Sequence, residues 1–199
     1  MRIGNLSYAR DNRSFGLTTL RKRHLAFVSG RRVLLRFRGK SGIEHEVMID
    51  NRHIVKIIRD CQQLRGQHLF QYLDDNGKRH SISAEQVNSY LRETMGAEFT
   101  AKDFRTWGAT LRAFELMLDT PLPDLPSKRA LKACIVAAIK KVAEELRNTV
   151  AVCRKSYINP LVFSAWQTGI LHQCMQEQAE GMRGELEWMV LALLRQEQP

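Results

Sequence analysis

The sequence predicts an α+β fold, mainly helical, in which a three-stranded antiparallel sheet near the N-terminus packs on a helical body. Three observations predict it. Between His24 and Ile49, three short strand-like runs with β-branched, aromatic and alternating residues are separated by turn residues. From Asp50 onward the apolar period becomes helical and stays so almost to the end. The net charge is +10, and the whole excess lies in residues 1–40, which hold eleven Lys or Arg against one acid, Asp11; residues 41–199 hold twenty of each. The chain reads as one domain over 1–199, with a basic β-meander subregion at 1–50 and a helical body at 51–199.

Residues 1–22 read as an irregular basic entry, with Arg10, Arg13, Arg21 and Lys22 interleaved with Tyr8, Phe15 and Gly16. The first strand is expected at 24–28, ending in the turn Ser29-Gly30. The second, at 33–37, leads into Gly39-Lys40-Ser41-Gly42, and the third spans 44–49. Lys40 thereby stands at a hairpin tip, where a side chain can reach a ligand. Ile54, Val55, Ile58, Cys61 and Leu64 then mark one face of a helix that Gly66 stops. Residues 69–73 suit a short strand followed by the turn Asp74-Asp75-Asn76-Gly77. Ser83 and Gln86 fit a capping box for a helix ending near Gly96. Another helix starts at Thr100, with Leu111, Phe114 and Leu118 in its stripe. Pro121, Pro123 and Pro126 mark a linker. A long helix follows at 127–146, turning Leu131, Cys134, Ile135, Ala138, Ile139 and Val142 inward. Residues 161–194 are mostly helical with a break near Gly181 to Gly184, and the stripe Leu186, Met189, Val190 and Leu193 reads as core.

Composition excludes several classes. No apolar run approaches the ~18 residues of a membrane span, and the first residues lack the apolar centre of a signal peptide. The expected location is cytoplasmic, beside the nucleoid. Cys61, Cys134, Cys153 and Cys174 are far apart, and Cys61 and Cys134 fall on apolar faces; reduced core residues are expected, with no disulfide frame and no metal site. Gly39-Lys40-Ser41 invites comparison with a phosphate-binding P-loop, but Leu34 stands where that loop needs its first glycine, and the flanks are two strands. No nucleotide cofactor is expected. A charge excess this concentrated suits a polyanion, with duplex DNA foremost and an anionic membrane disfavoured for want of a basic amphipathic helix.

Two clusters carry possible chemistry. Lys102 and Arg105 sit three apart in the first turn of a helix, an end already positive by its dipole; two cations there make sense when an anion lies opposite. Tyr157 follows Arg154 and Lys155 and precedes Asn159-Pro160, a helix-start signature with Pro at the first helical position. A phenol with a pKa near ~10 is a poor nucleophile unless cations stabilise its anion. The plainer alternative is a half-buried tyrosine at a helix end.

Four blocks in order sharpen the choice. These are Arg2-Ile3-Gly4-Asn5 with Ser14-Phe15-Gly16-Leu17-Thr18-Thr19-Leu20-Arg21-Lys22-Arg23-His24, then Phe37-Arg38-Gly39-Lys40-Ser41-Gly42, then Lys102-Asp103-Phe104-Arg105-Thr106-Trp107, then Cys153-Arg154-Lys155-Ser156-Tyr157-Ile158-Asn159-Pro160. Together they resemble the catalytic domain of type IB DNA topoisomerases, of the small poxvirus-like kind also found in bacteria, whose catalytic-core fold is shared with tyrosine recombinases. The resemblance implies a monomeric, ATP- and metal-independent enzyme that nicks duplex DNA through a 3′-phosphotyrosine link, lets it rotate, and reseals it. It implies Tyr157 as nucleophile, Arg2 and Arg105 as the clamp on the non-bridging oxygens, Lys40 as general acid to the leaving 5′ oxygen and Lys102 as an auxiliary cation. Arg13, Thr19, Arg21, Lys22, Arg23, Arg38, Ser41, Arg154 and Lys155 are the expected DNA contacts. Lys-x-x-Arg at 102–105, where recombinases carry His-x-x-Arg, favours the topoisomerase branch over strand transfer between paired sites.

Two departures from the family pattern stand out. Nine residues before Tyr157, where many members have a His, this chain has Asn148, an amide that donates a hydrogen bond but moves no proton. With one residue before Arg2, the family's small β-rich N-terminal domain is expected to be missing from this sequence. Weak anchoring of Arg2, lower DNA affinity and steep salt dependence are the expected consequences, and a DNA-binding fragment with little turnover is the competing reading.

Overall fold

The expected sheet forms, with its ends shifted by a residue or two. The computed structural model describes residues 1–124, 127–173 and 186–195. It divides into two compact units, Met1–Ala101 and Lys102–Pro199, a division that sequence periodicity did not mark. Strands β1 (Leu25–Ser29), β2 (Arg32–Arg38) and β3 (Glu44–Ile49) pair antiparallel in that order. Leu35 faces Leu25 on one side and Val47 on the other, and Phe37 faces His45. Alternation sends Val33, Leu35 and Phe37 inward with Leu25, Phe27, Val47 and Ile49, where they meet Phe15, Leu20, Leu69 and two residues of helix α2 (Arg52–Gln63), Val55 and Ile58. Ile54, expected on that buried face, is exposed: the helix turns only the Val55 and Ile58 edge into the core.

The entry segment is more ordered than expected. Asn5 caps a short helix α1 (Leu6–Asp11), its Oδ1 accepting from the Ser7 and Tyr8 amides, and two 3₁₀ turns follow at Leu17–Thr19 and Lys22–His24. A second hairpin, β4 (Gln71–Leu73) with β5 (Arg79–Ser81), turns at Asp74–Gly77. Helix α3 (Ala84–Met95) has the predicted reciprocal Ser83–Gln86 cap and ends on Gly96 in the left-handed region. On the outer sheet face Arg32 pairs with Asp50 at 2.8 Å and Arg36 with Glu46 at 3.0 Å. Such exposed pairs contribute only ~0–1 kcal/mol each, but they neutralise part of the basic excess.

The second unit is helical. Helix α4 (Ala101–Leu118) buries Ala109, Thr110, Ala113, Phe114, Leu116 and Met117. Helix α5 (Lys128–Leu146) starts on Ser127, whose Oγ accepts from the Ala130 amide, and buries Ile135, Ala138, Ile139 and Val142 as expected; Leu131 and Cys134 pack at the core edge. It ends on Arg147 at φ 49°, ψ 59°, and the Arg147 and Asn148 amides both fold back on Ala143. Helix α6 (Val150–Ser156), capped by Thr149, was not anticipated. In helix α7 (Leu161–Gln167) Pro160 takes the cap position, one residue earlier than expected, while the Asn159 side chain accepts from the Leu161 amide. Trp166 is fully buried and donates from Nε1 to the Thr120 carbonyl at 2.7 Å. Helix α8 (Leu186–Arg195) buries Val190 and Leu193, with Leu186 and Met189 at the core edge. Pro126, Cys174 and the break near Gly181 to Gly184 lie outside the described residues. Cys61 and Cys134 are half-buried, and Cys153 is fully buried. Among the described residues, no helix is long and apolar enough to cross a membrane.

Candidate active site

The expected site residues divide between the units: Arg2 and Lys40 lie in the first, Lys102, Arg105, Asn148 and Tyr157 in the second. In the first unit, Arg2 is better held than its sequence position suggests. Its carbonyl accepts from the Leu17 amide at 2.9 Å, and the Ile3 carbonyl accepts from both the amide and the hydroxyl of Thr18. A Cβ on Gly16 would lie 2.6 Å from the Gly4 backbone and 2.7 Å from the Arg2 carbonyl, so only glycine permits this crossing. The expectation of a frayed Arg2 is therefore corrected for its backbone.

Lys40 is exposed in a single 3₁₀ turn, Lys40–Gly42, between β2 and β3. The turn needs left-handed backbone at Ser41 (φ 60°) and Gly42 (φ 75°). Segment 14–17 joins this tip to Arg2: the Phe15 amide donates to the Arg38 carbonyl at 2.7 Å and the Ser14 hydroxyl to the Gly39 carbonyl at 2.5 Å.

The expected DNA contacts sort by exposure. Arg13, Arg23, Arg38 and Ser41 are exposed, and Arg21 and Arg23 lie over the Phe15 ring at 5.5 and 5.8 Å. Lys22 is half-buried and donates from Nζ to the Leu64 carbonyl. Thr19 is 1% exposed, with its hydroxyl donating to the Gly16 carbonyl and accepting the Gly16 amide. It props the loop, with its hydroxyl turned inward to Gly16 and not to solvent. His24 lies between Phe15, at 4.4 Å, and Phe37; burial, then Arg23 and Arg21, push its imidazole down to about 4, consistent with Nδ1 accepting the Arg21 amide.

In the second unit two of the expected residues meet, Arg105 and Tyr157. Arg105 projects from the first turns of α4, its Nη2 donating to the Leu146 carbonyl at the end of α5 and its guanidinium 5.3 Å from the centre of the Tyr157 ring. Asn148 follows two residues after Leu146, with Nδ2 buried. Tyr157 ends α6 and is 8% exposed. Arg154 and Lys155 are exposed in the last turn of α6, where cations complement the dipole, and Lys102 is exposed one turn before Arg105. One residue was missed. Thr110, 3% exposed on α4, donates its hydroxyl to the Tyr157 carbonyl at 3.3 Å and accepts the Asn159 amide at 3.1 Å, holding the chain on both sides of the tyrosine. A hydroxyl on the apolar stripe with Trp107, Leu111 and Phe114 was the available signal. Among the described residues, no three His, Cys, Asp or Glu side chains group as metal ligands would.

Chemically, an arginine on a tyrosine ring beside a helix C-terminus offers a phenol with a fixed cation and a guanidinium shaped for two phosphate oxygens. The relatives point the same way. DNA topoisomerase 1B of Acanthamoeba polyphaga mimivirus is 37% identical over 172 residues, covering 84% of this chain and 51% of its own length. DNA topoisomerase 1B of Vaccinia virus (strain Copenhagen) is 22% identical over 162 residues, and DNA topoisomerase I of Monkeypox virus 24% over 165; each alignment covers 79% of this chain and 47% of the relative. All three are viral, so the poxvirus-like part of the expected resemblance is met, and they lend nothing to a bacterial attribution. This chain spans about half the length of these relatives. Residues 1–180 match the family described as eukaryotic DNA topoisomerase I, catalytic core, and the chain belongs to that family.

Proposed function

We propose that this chain is the catalytic domain of a type IB DNA topoisomerase that relaxes supercoiled duplex DNA without nucleotide or metal, acting as a monomer. The observation that carries the proposal is the placement of the Arg105 guanidinium over Tyr157, in a chain of this family. The Tyr157 oxygen attacks the scissile phosphorus and loses its proton to solvent. The P–O5′ bond breaks as Lys40 gives a proton to the departing oxygen, leaving a 3′-phosphotyrosine and a 5′-hydroxyl. After rotation the hydroxyl attacks the same phosphorus and returns its proton to Lys40 as the P–O bond to Tyr157 breaks; the phenolate regains its proton from solvent, and the phosphodiester energy is conserved.

Negative charge on the non-bridging oxygens peaks in the pentacoordinate transition state. There the permanent charges of Arg2 and Arg105 act, with Asn148 donating from its amide and Lys102 adding to the field; removing one such preorganised donor typically costs ~10²–10³ in rate. A second reading, a DNA-binding domain with little turnover, is favoured by the burial of Tyr157. Supercoiled plasmid in EDTA without nucleotide decides between them. Relaxation by the parent chain and none by Tyr157→Phe is the expected result. Binding by both with relaxation by neither would leave the second reading standing.

A further inference from the structure

The hairpin tip holds more than a lysine. Gly39, the residue before Lys40, is held by three hydrogen bonds: its amide donates to the Ile43 carbonyl at 2.7 Å, and its carbonyl accepts the Ser14 hydroxyl at 2.5 Å and the Gly42 amide at 3.2 Å. A Cβ there would stand 2.5 Å from both Cδ2 and Nε2 of His45. The His45 ring is in turn stacked on Phe37, 4.9 Å between centres and 4° between planes, and Phe37 is buried at 3% exposure. Phe37 meets His24, and His24 meets Phe15, whose amide holds the Arg38 carbonyl. A ladder of four rings thus runs from the core of the first unit to the underside of the peptide that carries Lys40. An exposed tip would otherwise be free to swing; here its base has neither a free carbonyl nor a free face.

We propose that His45 and Ser14 are positioning residues for Lys40, acting through Gly39: the ring sets the height of the tip and the hydroxyl sets the orientation of the 39–40 peptide. The proposal rests on the reading of Lys40 as general acid, because a proton donor must sit within hydrogen-bond reach of the leaving oxygen, and a misplacement of about 1 Å can cost ~10²-fold.

The test uses the full chain and a duplex carrying one mapped cleavage site in two forms, with oxygen or with sulfur bridging phosphorus to the 5′ carbon. A thiolate, whose conjugate acid has a pKa near ~8.5, departs without a proton. Ser14→Ala and His45→Ala are expected to slow cleavage of the oxygen duplex by about 10²-fold and to cleave the sulfur duplex at the parental rate. Ser14→Thr, which keeps the hydroxyl, and His45→Phe, which keeps the ring, should restore the oxygen rate. Equal losses on both duplexes, or no loss on oxygen, would overturn the proposal. Should circular dichroism show His45→Ala unfolded, Ser14→Ala carries the test alone, since it removes a single hydroxyl. Lys40→Ala run in parallel separates the two layers: if sulfur does not rescue it, the general-acid reading fails and takes the proposal with it; if sulfur rescues Lys40→Ala but neither positioning variant, the proposal alone fails.

Discussion

Replacing Thr110 with valine exchanges a hydroxyl for a methyl of equal size at a site 3% exposed, so shape is kept and two hydrogen bonds are lost. The longer bond, 3.3 Å to the Tyr157 carbonyl, is the weaker; the carbonyl has a second lone pair and loses little. The bond from the Asn159 amide at 3.1 Å matters more, because that donor is part-buried and an unsatisfied buried donor costs ~1–3 kcal/mol. Burial of the added methyl returns up to ~0.8 kcal/mol. The net loss predicted is about 1 kcal/mol, which lowers Tm by roughly 4–8 °C in a cooperative unit of about 100 residues, the size of the unit that holds Thr110. Calorimetry measures that directly. Thr110→Ser keeps the hydroxyl and loses a methyl, at about 1 kcal/mol. The functional readout separates the two: valine frees the backbone on both sides of Tyr157 and should slow single-turnover cleavage at least tenfold by misplacing the nucleophile, whereas serine should cleave at the parental rate. A valine variant as stable as the parent, or a serine variant that cleaves as slowly as valine, would refute the reasoning.

Three further outcomes are expected. Because the folded His24 is held near 4 while an unfolded imidazole titrates near ~6.5, the unfolded chain binds the extra proton in between. Stability should therefore fall as pH drops from about 6.5 towards 4, by about 1–2 kcal/mol after allowance for solvent screening, and His24→Phe should flatten that limb in urea titrations. With Asn148 in place of an imidazole, the cleavage rate should be flat from pH ~5.5 to ~7.5, and Asn148→His should introduce a limb near ~6.5; a parental limb abolished by mutating a native histidine would contradict this. Finally, Arg23→Ala should reduce the slope of log binding constant against log salt by about one, while Thr19→Val should leave the slope intact and lower Tm.

The elements legible in the sequence were those whose signals are local and redundant. Ser83 with Gln86 and the alternation from Val33 to Phe37 each combine a cap or turn with a period, and the structure follows them. Helices α1 and α6 escaped because each spans at most two turns and leaves no periodic stripe; only the capping residues Asn5 and Thr149 announced them. Tyr157, Arg105 and Asn148 could be picked out by residue type and block order, whereas the meeting of Arg105 with Tyr157 depends on the α5 cap returning the chain, which no period encodes. Thr19 drew notice as a short polar residue in a basic block; its burial comes from the Gly4–Gly16 crossing, a long-range approach invisible in one dimension.

Arg105 has a prior engagement. Its donor to the Leu146 carbonyl closes the α5 terminus, where the backbone dipole is most negative. In the proposed reaction, a phosphate that recruits the same guanidinium competes with a peptide carbonyl, so substrate affinity is lowered by whatever that carbonyl loses. Linkage makes the trade reciprocal. Changes that tighten the last turn of α5 on its own account release Arg105 to the phosphate, and saturation with DNA should quicken amide exchange at the very turn the arginine leaves.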